Sequence, residues 1–463
     1  MEPVERAAEK MRRAGVPEPA IRIFERQRER VRAGASGLLP DAELEPVAAV
    51  PAVSDIPDAG AGAPLERTVV IKLNGGLATS MGLSRPKSLI EAKDGLSFLD
   101  IVVRQTLALR ERHGVRLPLV LMDSFSTSAE TLAALDGVPG LDAGVPLEFL
   151  QNREPKLRAE DLEPVEWPRE LRLEWCPPGH GDIYTSLGAS GTLETLLERG
   201  YRHAFVSNAD NLGAVLDPRI LSWFAAERIP FLMEVVAGTE ADRKGGHIAR
   251  RRDGRLVLRE TAQTPEEDAA SFRDFRRWRH YNTNNLWIDL EALAARLDED
   301  GGALDLPVIV NRKTVDPRDP ATPEVVQLET AMGSAIGLFD GARALCVPRA
   351  RFAPVKTTDD LLVLRSDAYA LTADWRVEPS VPGRDAPPFV ALDPTHHRML
   401  GDFEERFPHG PPSLAACDRL VVRGDVEFGA GVVARGSVEI SAEPGAGRAR
   451  IPDATVLTGT LTL

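Results

Sequence analysis

The stretch TVVIKLNGGLATSMGLSRPKSLI, residues 68–90, joins an apolar run to a glycine-rich loop, and the predicted fold follows from this junction. The run at residues 68–73 is typical of a buried strand. Two adjacent glycines, Gly75 and Gly76, come next. The loop matches neither standard phosphate-binding pattern, because the Walker sequence requires Gly where Pro86 stands and G-x-G-x-x-G requires separated glycines.

The residues around these glycines still favour a phosphate site. Gly75 and Gly76 let the backbone approach a ligand closely, and a following helix would direct N–H groups at phosphate. Pro86 fixes the backbone between Arg85 and Lys87, so that Lys87 is well placed to meet a phosphate. The alternative is a tight strand–helix turn with solvated charges.

Short apolar runs alternate with helical stretches from residue 68 to about residue 360. The six strand candidates are residues 68–73, 117–124, 203–210, 229–236, 284–290 and 343–348. This alternation predicts an α/β domain with a mixed, mainly parallel sheet. Ligands of such sheets bind at the carboxyl ends of the strands, where the glycine-rich loop and the segment 207–213 both begin.

Composition and charge exclude several classes of protein. The 463 residues provide ample chain for a large core, and the net charge of −14 argues against nucleic acid or an anionic membrane as partner. No run approaches the roughly 18 apolar residues of a membrane span, and the N-terminus lacks a signal-peptide pattern. Cys176, Cys346 and Cys417 lack metal-ligand spacing, which favours a reducing, cytoplasmic location.

Both ends of the chain differ from the α/β region. Residues 4–34 predict two short helices, and residues 35–64, rich in Ala, Pro and Gly, predict an extended linker. In the tail, apolar residues recur every six positions with a small residue four positions later: Leu420, Val426, Val432 and Val438, then Gly424, Ala430, Gly436 and Ala442. This period predicts a parallel β-helix that mediates homo-oligomerisation, with a chance alternating strand as the alternative.

Two loops carry the most suggestive polar residues. SNADNLGA, residues 207–214, places Asp210 at a strand end, where a carboxylate suits Mg²⁺; an Asx turn is the alternative. WCPPGHGDIY, residues 175–184, gives a rigid approach followed by permissive glycines, which suits the wrapping of a base or ribose. His180 in this loop is able to donate to a phosphate or a sugar hydroxyl, unless it is simply solvated.

Other polar residues are less specific. Lys244 and Lys356 lie near turns or strand ends, although an exposed surface lysine is the default interpretation of each. Asn282, Asn284 and Asn285 suit a hydroxyl-rich ligand, because an amide both donates and accepts; an asparagine-rich turn is the equal alternative. The sequence contains no convincing covalent nucleophile. The residues alone thus point to transfer on a nucleotide phosphate.

Six motifs occur in a fixed order: KLNGGLATSMG…PKS, WCPPGHGDIY, SNADNLGA, ADRKGG, NTNNLW and VPRARFAPVKTTDDLLVL. Together they resemble the eukaryotic-type UTP–glucose-1-phosphate uridylyltransferase (UDP-glucose pyrophosphorylase) family over nearly the whole chain. The resemblance implies N-terminal helices and a linker over residues 1–64 and a GT-A-like nucleotidyltransferase core over residues 65–370. It also implies a C-terminal domain over residues 371–463, ending from about residue 415 in a left-handed parallel β-helix.

The resemblance implies the reaction UTP + glucose 1-phosphate ⇌ UDP-glucose + diphosphate, with Mg²⁺ and in-line attack on the α-phosphorus. Such transfer requires positioning and charge neutralisation rather than a protein nucleophile. Three alternatives stay open: the same chemistry on another or a broader range of sugar 1-phosphates, a glycosyltransferase that uses a UDP-sugar, and a catalytically silent sugar-nucleotide-binding protein.

The resemblance also implies a role for each matching residue. Catalytic cations are Lys87, Lys244 and Lys356, and the Mg²⁺ ligand is Asp210. Nucleotide-binding residues are Leu73, Asn74, Gly75, Gly76, Arg85, Gln151 and Gly179. Substrate-binding residues are His180, Asn208, Gly245, Glu260 and Asn284. The chain departs from the family pattern at Ala78, where glycine is usual, and at His247 and Tyr281, which bear on sugar specificity.

Overall fold

The computed structural model describes residues 3–58, 64–381, 387–443 and 447–463. Its helices are α1 (Pro3–Arg13), α2 (Glu18–Arg32), α3 (Phe98–His113), α4 (Ser128–Leu135), α5 (Ile183–Ala189), α6 (Thr192–Glu198), α7 (Pro218–Ala226), α8 (Ala269–Phe272), α9 (Leu290–Glu299), α10 (Thr358–Arg365), α11 (Pro394–His397) and α12 (Leu400–Arg406).

The strands begin with β1 (Leu44–Pro46), β2 (Thr68–Leu73), β3 (Glu91–Lys93), β4 (Leu96–Ser97), β5 (Leu119–Asp123), β6 (Glu148–Leu150), β7 (Glu154–Pro155), β8 (Leu157–Arg158), β9 (Trp175–Cys176), β10 (His203–Asn208), β11 (Phe231–Ala237), β12 (His247–Arg251) and β13 (Leu256–Arg259). They continue with β14 (His280–Asp289), β15 (Val308–Thr314), β16 (Glu324–Thr330), β17 (Arg343–Cys346), β18 (Tyr369–Leu371), β19 (Val377–Pro379), β20 (Phe389–Ala391), β21 (Cys417–Arg423), β22 (Val426–Phe428), β23 (Val433–Ser441), β24 (Ala449–Ile451) and β25 (Val456–Thr462).

A ten-stranded sheet contains all six predicted strands, which are β2, β5, β10, β11, β14 and β17. The strands β6, β5, β2 and β10 pair in parallel, as do β11 and β17. The long strand β14 lies antiparallel between β10 and β11, and β12 pairs antiparallel with β14, β1 and β13. Seven strands therefore point one way and three the other, which confirms the prediction of a mixed α/β fold with a mainly parallel sheet.

Alternate residues of each strand face opposite sides of this sheet, as the strand geometry requires. Val69 and Ile71 belong to a hydrophobic core with α5, α6 and α9, whereas Val70 belongs to another with α3, α7 and α10. Strand β10 follows the same rule, with Ala204 and Val206 on the first face and Phe205 on the second. Because both faces are covered, these strands are apolar along nearly their whole length.

Helix α3 shows how local sequence sets the limits of an element. It begins after Ser97, whose hydroxyl accepts from the Asp100 N–H while the Asp100 carboxylate accepts from the Ser97 N–H, a capping box. It ends at Gly114, whose φ of 64° suits a residue without a side chain. Among the helices in the described ranges, none is long and apolar enough to span a bilayer.

The N-terminal helices form as predicted and pack on a separate small sheet. Ile21 and Phe24 of α2 share a core with Val326 and Leu328 of β16, which pairs with β15 and β8. Part of the predicted linker is ordered against the main sheet, because β1 pairs antiparallel with β12. The segment that follows α2 therefore extends the edge of that sheet.

The C-terminal strands pair in parallel along the chain. Strands β20, β21, β23 and β25 form one sheet, and β22 pairs with β24. Leu420 lies directly beside Val438, eighteen residues later, which is three of the predicted six-residue periods. All four apolar residues of that period are buried: Leu420, Val426, Val432 and Val438.

His247 lies in a buried aromatic cluster at the start of β12. Its ring stacks on Trp278 with 4.6 Å between the centroids and packs against Phe272 at 4.7 Å. Neither ring nitrogen has a hydrogen-bond partner among the described residues. Burial, together with the neighbouring charge of Arg259, lowers the pKa of His247 to about 3. The histidine thus stays neutral in the folded protein, and its ring is buried away from solvent.

This environment predicts a pH-dependent stability difference for His247→Phe. The unfolded chain binds a proton on this histidine below its ordinary pKa of 6.5, whereas the folded chain does not until about pH 3. Stability of the wild type is therefore lost as pH falls, and the variant should lose about 2 kcal/mol less between pH 7 and pH 5. Denaturation at the two pH values measures this difference.

The exposed His409→Phe is the control, since its side chain is solvated in both states. An equal loss of stability in wild type and His247→Phe over this range would contradict the neutral state of His247.

Candidate active site

The predicted site residues gather at one edge of the large sheet, where its parallel strands end. Leu73 at the end of β2 lies directly beside Asn208 at the end of β10 and Met122 of β5. The segments that continue from this edge carry most of the other predicted residues: Asn74 to Lys87 after β2, Gln151 after β6, Asp210 after β10, Lys244 and Gly245 after β11, and Lys356 after β17. One edge of the sheet therefore collects loops that are far apart in sequence.

Gln151 joins two of the predicted nucleotide-binding loops. Its Nε2 donates to the carbonyl oxygen of Gly179 at 2.7 Å. Its Oε1 lies so close to Gly75 that a Cβ added there would come within 2.9 Å of it. The amide of Gln151 thus connects the glycine-rich loop with the loop of residues 175–184, and a side chain at Gly75 would displace this amide.

Gly179 is required by both its conformation and its surroundings. Its φ is +78°, in the region that favours glycine, and an added Cβ would lie 2.5 Å from the carbonyl oxygen of Thr330. The Thr330 N–H donates back to the carbonyl oxygen of Pro178 at 2.9 Å. The predicted base-binding loop is therefore packed tightly on β16.

Asn74 uses its side chain inside the protein. Its Nδ2 donates to Asp123 Oδ1 at 2.8 Å and to Thr131 Oγ1 at 2.9 Å, and its N–H donates to the Met122 carbonyl oxygen. The amide side chain holds the start of the loop against β5. Backbone contact of Leu73 to Gly76 with a ligand stays a prediction.

The glycine-rich loop folds back on itself between Gly76 and Lys87. The Lys87 N–H donates to the Gly76 carbonyl oxygen at 3.1 Å, and the Ala78 N–H donates to the Arg85 carbonyl oxygen at 3.3 Å. Ala78 has a φ of −81°, so alanine is accommodated where the family usually has glycine. Arg85 itself is exposed and lies opposite Ala78 in this turn.

Lys87 and Asp210 form an ion pair, with 2.6 Å between Nζ and Oδ2. The other carboxylate oxygen, Asp210 Oδ1, is buried and has no hydrogen-bond partner among the described residues. A buried carboxylate oxygen without a partner is costly unless a ligand or cation completes it. The predicted phosphate-binding cation and the predicted metal ligand are thus brought together, and one oxygen of the carboxylate remains available.

These atoms fit a magnesium ion. No group of three or more His, Cys, Asp or Glu side chains in the described part of the chain is arranged to hold a metal. Mg²⁺ commonly binds proteins through one or two carboxylates and takes its remaining ligands from substrate phosphates and water. A single carboxylate with a free buried oxygen beside a predicted phosphate site meets that requirement.

Lys356 reaches the same edge through a short backbone contact. The Val355 N–H donates to the Asp210 carbonyl oxygen at 3.2 Å, and Pro354 forms a β-bridge with Asn211. The Lys356 side chain is exposed. The backbone N–H of Lys356 donates to the carboxylate of Asp360, which belongs to the capping box at the start of α10. The loops that carry Asp210 and Lys356 are therefore fixed to one another.

His180 is held as a neutral hydrogen-bond donor. The Met332 N–H donates to its Nδ1 at 3.0 Å, so the ring proton resides on Nε2. Burial lowers the pKa of His180 to about 4, and the positive charge of Lys356 acts in the same direction. Near neutral pH the ring therefore presents an uncharged Nε2–H.

Asn284 occupies an irregular position in β14. The register between β11 and β14 shifts after Glu234, and Asn284 has a φ of +58°, which is uncommon for a residue other than glycine. The Asn284 N–H donates to Asn282 Oδ1 at 2.9 Å, and Asn282 Nδ2 donates back to Asn284 Oδ1 at 2.8 Å. Bulges of this kind redirect side chains at active sites, so the amide is presented in a fixed orientation.

Glu260 and the paired glycines form a second polar group at the predicted sugar end. A Cβ added to Gly246 would lie 2.6 Å from the Glu260 carboxylate, so glycine allows that close approach. Burial raises the pKa of Glu260, while the charge of Lys356 opposes the shift. Gly245 rests against the buried ring of Tyr281, and Lys244 is exposed beside it.

Sequence reasoning missed a buried polar network behind these loops. The Glu234 carboxylate accepts from Asn285 Nδ2 at 3.0 Å, Trp287 Nε1 at 2.9 Å and Arg351 at 2.6 and 2.9 Å. Asn211 donates to Asn285 Oδ1 and to the Arg351 carbonyl oxygen. The available sequence signal was a carboxylate, Glu234, in an otherwise apolar strand and an arginine, Arg351, in a loop. The partners of these two residues lie too far away in sequence to be inferred.

Comparison with known proteins places the chain in a family. A family model described as UTP–glucose-1-phosphate uridylyltransferase matches residues 25–435. The enzyme of that name from Hordeum vulgare is 40% identical over 394 residues, which cover 85% of this chain and 81% of that protein. The open and closed structures of UDP-glucose pyrophosphorylase from Leishmania major are 45% identical, with a TM-score of 0.96 over 100% of both chains.

A mutant of the Leishmania major enzyme, solved in complex with UDP-glucose, is 46% identical, with a TM-score of 0.95 over 100% of both chains. Sequence and fold thus agree over nearly the full length. The chain belongs to the UTP–glucose-1-phosphate uridylyltransferase family.

Proposed function

We propose that this chain catalyses the reversible reaction of UTP with glucose 1-phosphate to give UDP-glucose and diphosphate. The observation that carries this conclusion is the family match over residues 25–435. A relative that shares the fold over the whole chain has been solved with UDP-glucose. The sheet edge where the parallel strands end supports the same reaction, because it combines a closely packed glycine loop, cations and one available carboxylate oxygen.

The site residues keep the roles expected from their motifs. Leu73, Asn74, Gly75 and Gly76 would bind the uridine through the backbone, with Gln151 and Gly179 at the base and Arg85 near the phosphates. His180, Asn208, Gly245, Glu260 and Asn284 would meet the sugar phosphate and its hydroxyls. The proposal is supported by the hydrogen bond between Gln151 and Gly179 and by the fixed orientation of Asn284.

The chemistry is a single displacement at phosphorus. A phosphate oxygen of glucose 1-phosphate attacks the α-phosphorus of UTP, and the bond from this phosphorus to the oxygen bridging to the β-phosphate breaks. Diphosphate leaves, and no bond to the protein forms. Lys87, Lys244 and Lys356 would neutralise the phosphates, and His180 would donate its Nε2–H without changing its own charge.

Mg²⁺ is the cofactor that the residues fit, with Asp210 as its protein ligand. When bound it would neutralise charge on the transferring phosphates. The protein itself would hold the Asp210 loop in place and keep the two substrates in line. Lys87 would move from the Asp210 carboxylate to a phosphate.

The C-terminal part and the location of the chain remain predictions. The eighteen-residue parallel register between Leu420 and Val438 supports a parallel β-helix from about residue 415 within a domain over residues 371–463, and the left-handed sense of this helix rests on the family resemblance. The exposed Val456 on β25, which pairs only with β23 among the described strands, favours homo-oligomerisation there. Sedimentation velocity of the full chain measures this. None of Cys176, Cys346 and Cys417 is in a disulfide, which supports a cytoplasmic location. The GT-A-like description of residues 65–370 rests on the family resemblance.

Diphosphate release from UTP and Mg²⁺ tests the function, with glucose, galactose and N-acetylglucosamine 1-phosphates assayed in parallel. We expect rapid release with glucose 1-phosphate and a kcat/KM at least about tenfold lower with the other two, because one misplaced hydroxyl hydrogen bond costs roughly 1.4 kcal/mol. Preference for another sugar would overturn the substrate. A folded chain that binds UTP but releases no diphosphate would overturn the activity.

Gly76→Ala tests close approach of the nucleotide to the loop. An added Cβ meets no atom within 4 Å in the free protein, so the fold should be unaffected. We expect the thermal midpoint to be unchanged and the KM for UTP to rise about tenfold or more, because a methyl group would occupy ligand space. Gly401→Ala, also unobstructed but on α12, is the control. A normal KM for UTP in Gly76→Ala would contradict the backbone contact.

Lys87→Met and Asp210→Asn should change Mn²⁺ affinity in opposite directions. Lys87 neutralises Asp210 in the free protein, so its removal should tighten Mn²⁺ binding by about fivefold to tenfold while it abolishes most turnover. Asp210→Asn should weaken Mn²⁺ binding and turnover together. Electron paramagnetic resonance of free Mn²⁺ measures the affinity without any nucleotide.

Arg312→Met, which breaks an exposed ion pair with Glu324, is the matched control and should bind Mn²⁺ as the wild type does. Weaker Mn²⁺ binding by Lys87→Met would exclude competition between the lysine and the cation.

A further inference from the structure

Lys72 is a buried ionisable residue that the proposed chemistry leaves unused. It is the penultimate residue of β2, and only 2% of it is exposed. In the parallel register it lies directly beside Ser207 of β10, on the same face of the sheet as Val70 and Phe205. Since burying an ammonium group is costly, the contacts that it makes indicate why a lysine stands there.

The ammonium group of Lys72 connects the two ends of one loop. Its Nζ donates to Ser207 Oγ at 2.7 Å and to the carbonyl oxygen of Ala214 at 2.8 Å. Between these two residues lie Asn208 and Asp210, the proposed substrate and cation ligands. One side chain from a neighbouring strand thus fixes both the start and the return of the loop.

These contacts are not those of an ordinary ion pair. Among the described residues Lys72 has no carboxylate within salt-bridge distance. The two carboxylates whose charges act on it, Glu234 and Asp210, are paired with Arg351 and Lys87. Burial lowers the pKa of Lys72 to about 7, with Arg351 acting in the same direction. An apolar side chain of similar length would fill this space at lower cost if packing were its only role.

We infer that Lys72 is a positioning residue, which holds the loop of residues 207–214 so that the Asp210 carboxylate is placed to receive the cation. The inference rests on the proposed function, in which Asp210 holds Mg²⁺. The physical basis is the double hydrogen bond, which joins the two ends of the loop and adds to the backbone contacts that Ala209 makes with Leu73 and Val355 makes with Asp210. Groups that orient a metal ligand in this way commonly change metal affinity when they are removed.

The test compares Mn²⁺ binding by the free protein in wild type, Lys72→Met, Lys72→Arg and Asp210→Asn. We expect Lys72→Met to weaken Mn²⁺ binding at least tenfold, within the range typical of residues that orient metal ligands. Lys72→Arg, which keeps the charge and the donors, should recover most of that affinity. In kinetics, Lys72→Met should raise the Mg²⁺ concentration needed for half-maximal rate while the KM for glucose 1-phosphate stays within about twofold.

Lys93→Met is the matched control. Lys93 is also buried and also donates to backbone carbonyl oxygens, those of Leu364 and Ser366 at the end of α10. Loss of either lysine should lower the thermal midpoint. Loss of Lys93, unlike loss of Lys72, should leave the Mn²⁺ affinity unchanged. Equal weakening of Mn²⁺ binding in Lys72→Met and Lys93→Met would reduce Lys72 to a purely structural residue and overturn the inference.

Ser207→Ala provides a milder test should Lys72→Met not fold. It removes one of the two hydrogen bonds and leaves the lysine, so Mn²⁺ binding should weaken by about threefold to tenfold. If Mn²⁺ binding is unchanged in Ser207→Ala and Lys72→Met but lost in Asp210→Asn, the inference about Lys72 is overturned and the assignment of Asp210 as cation ligand is kept. Wild-type Mn²⁺ affinity in Asp210→Asn would instead overturn the cation assignment, and the inference with it.

Discussion

The parallel pairing of β2 with β10 is the constraint on which the rest of the structure depends. It places Leu73 beside Asn208, so that two loops separated by more than a hundred residues start from adjacent points. Both strands are buried on both faces, and a shift of one residue would exchange their core-facing sides. The positions of the glycine-rich loop and of Asp210 are therefore set by the packing of the hydrophobic core.

The buried carboxylate of Glu234 is a second constraint on the loops of the site. It connects β11, β14 and the segment that leads to Lys356, through Asn285, Trp287 and Arg351. Removal of one partner from such a buried pair typically costs about 3–5 kcal/mol, because the other charge is left uncompensated. The loops at the proposed phosphate end thus rest on a polar network, whereas those at the proposed nucleoside end rest on glycine contacts.

Local sequence patterns were sufficient to predict the six strands, the two N-terminal helices and the edge where polar residues gather, because these depend on neighbouring residues. They were insufficient to show which polar residues the fold itself uses. Asn74 and Asn285 have their side chains bound by partners 49 and 51 residues away. The positive φ of Asn284 depends on its register with β11. Lys72 was included in an apolar strand, since nothing nearby in sequence indicates its partners.

One hydrophobic cluster extends from Val70 and Phe205 of the large sheet to Leu420, Val438 and Leu457 near the end of the chain. A ribosome produces these residues in order, so the first half of the cluster is complete long before the second exists. The cluster is therefore completed only after the C-terminal strands have been synthesised. Until then the nascent chain exposes apolar residues of this core, a condition that favours aggregation.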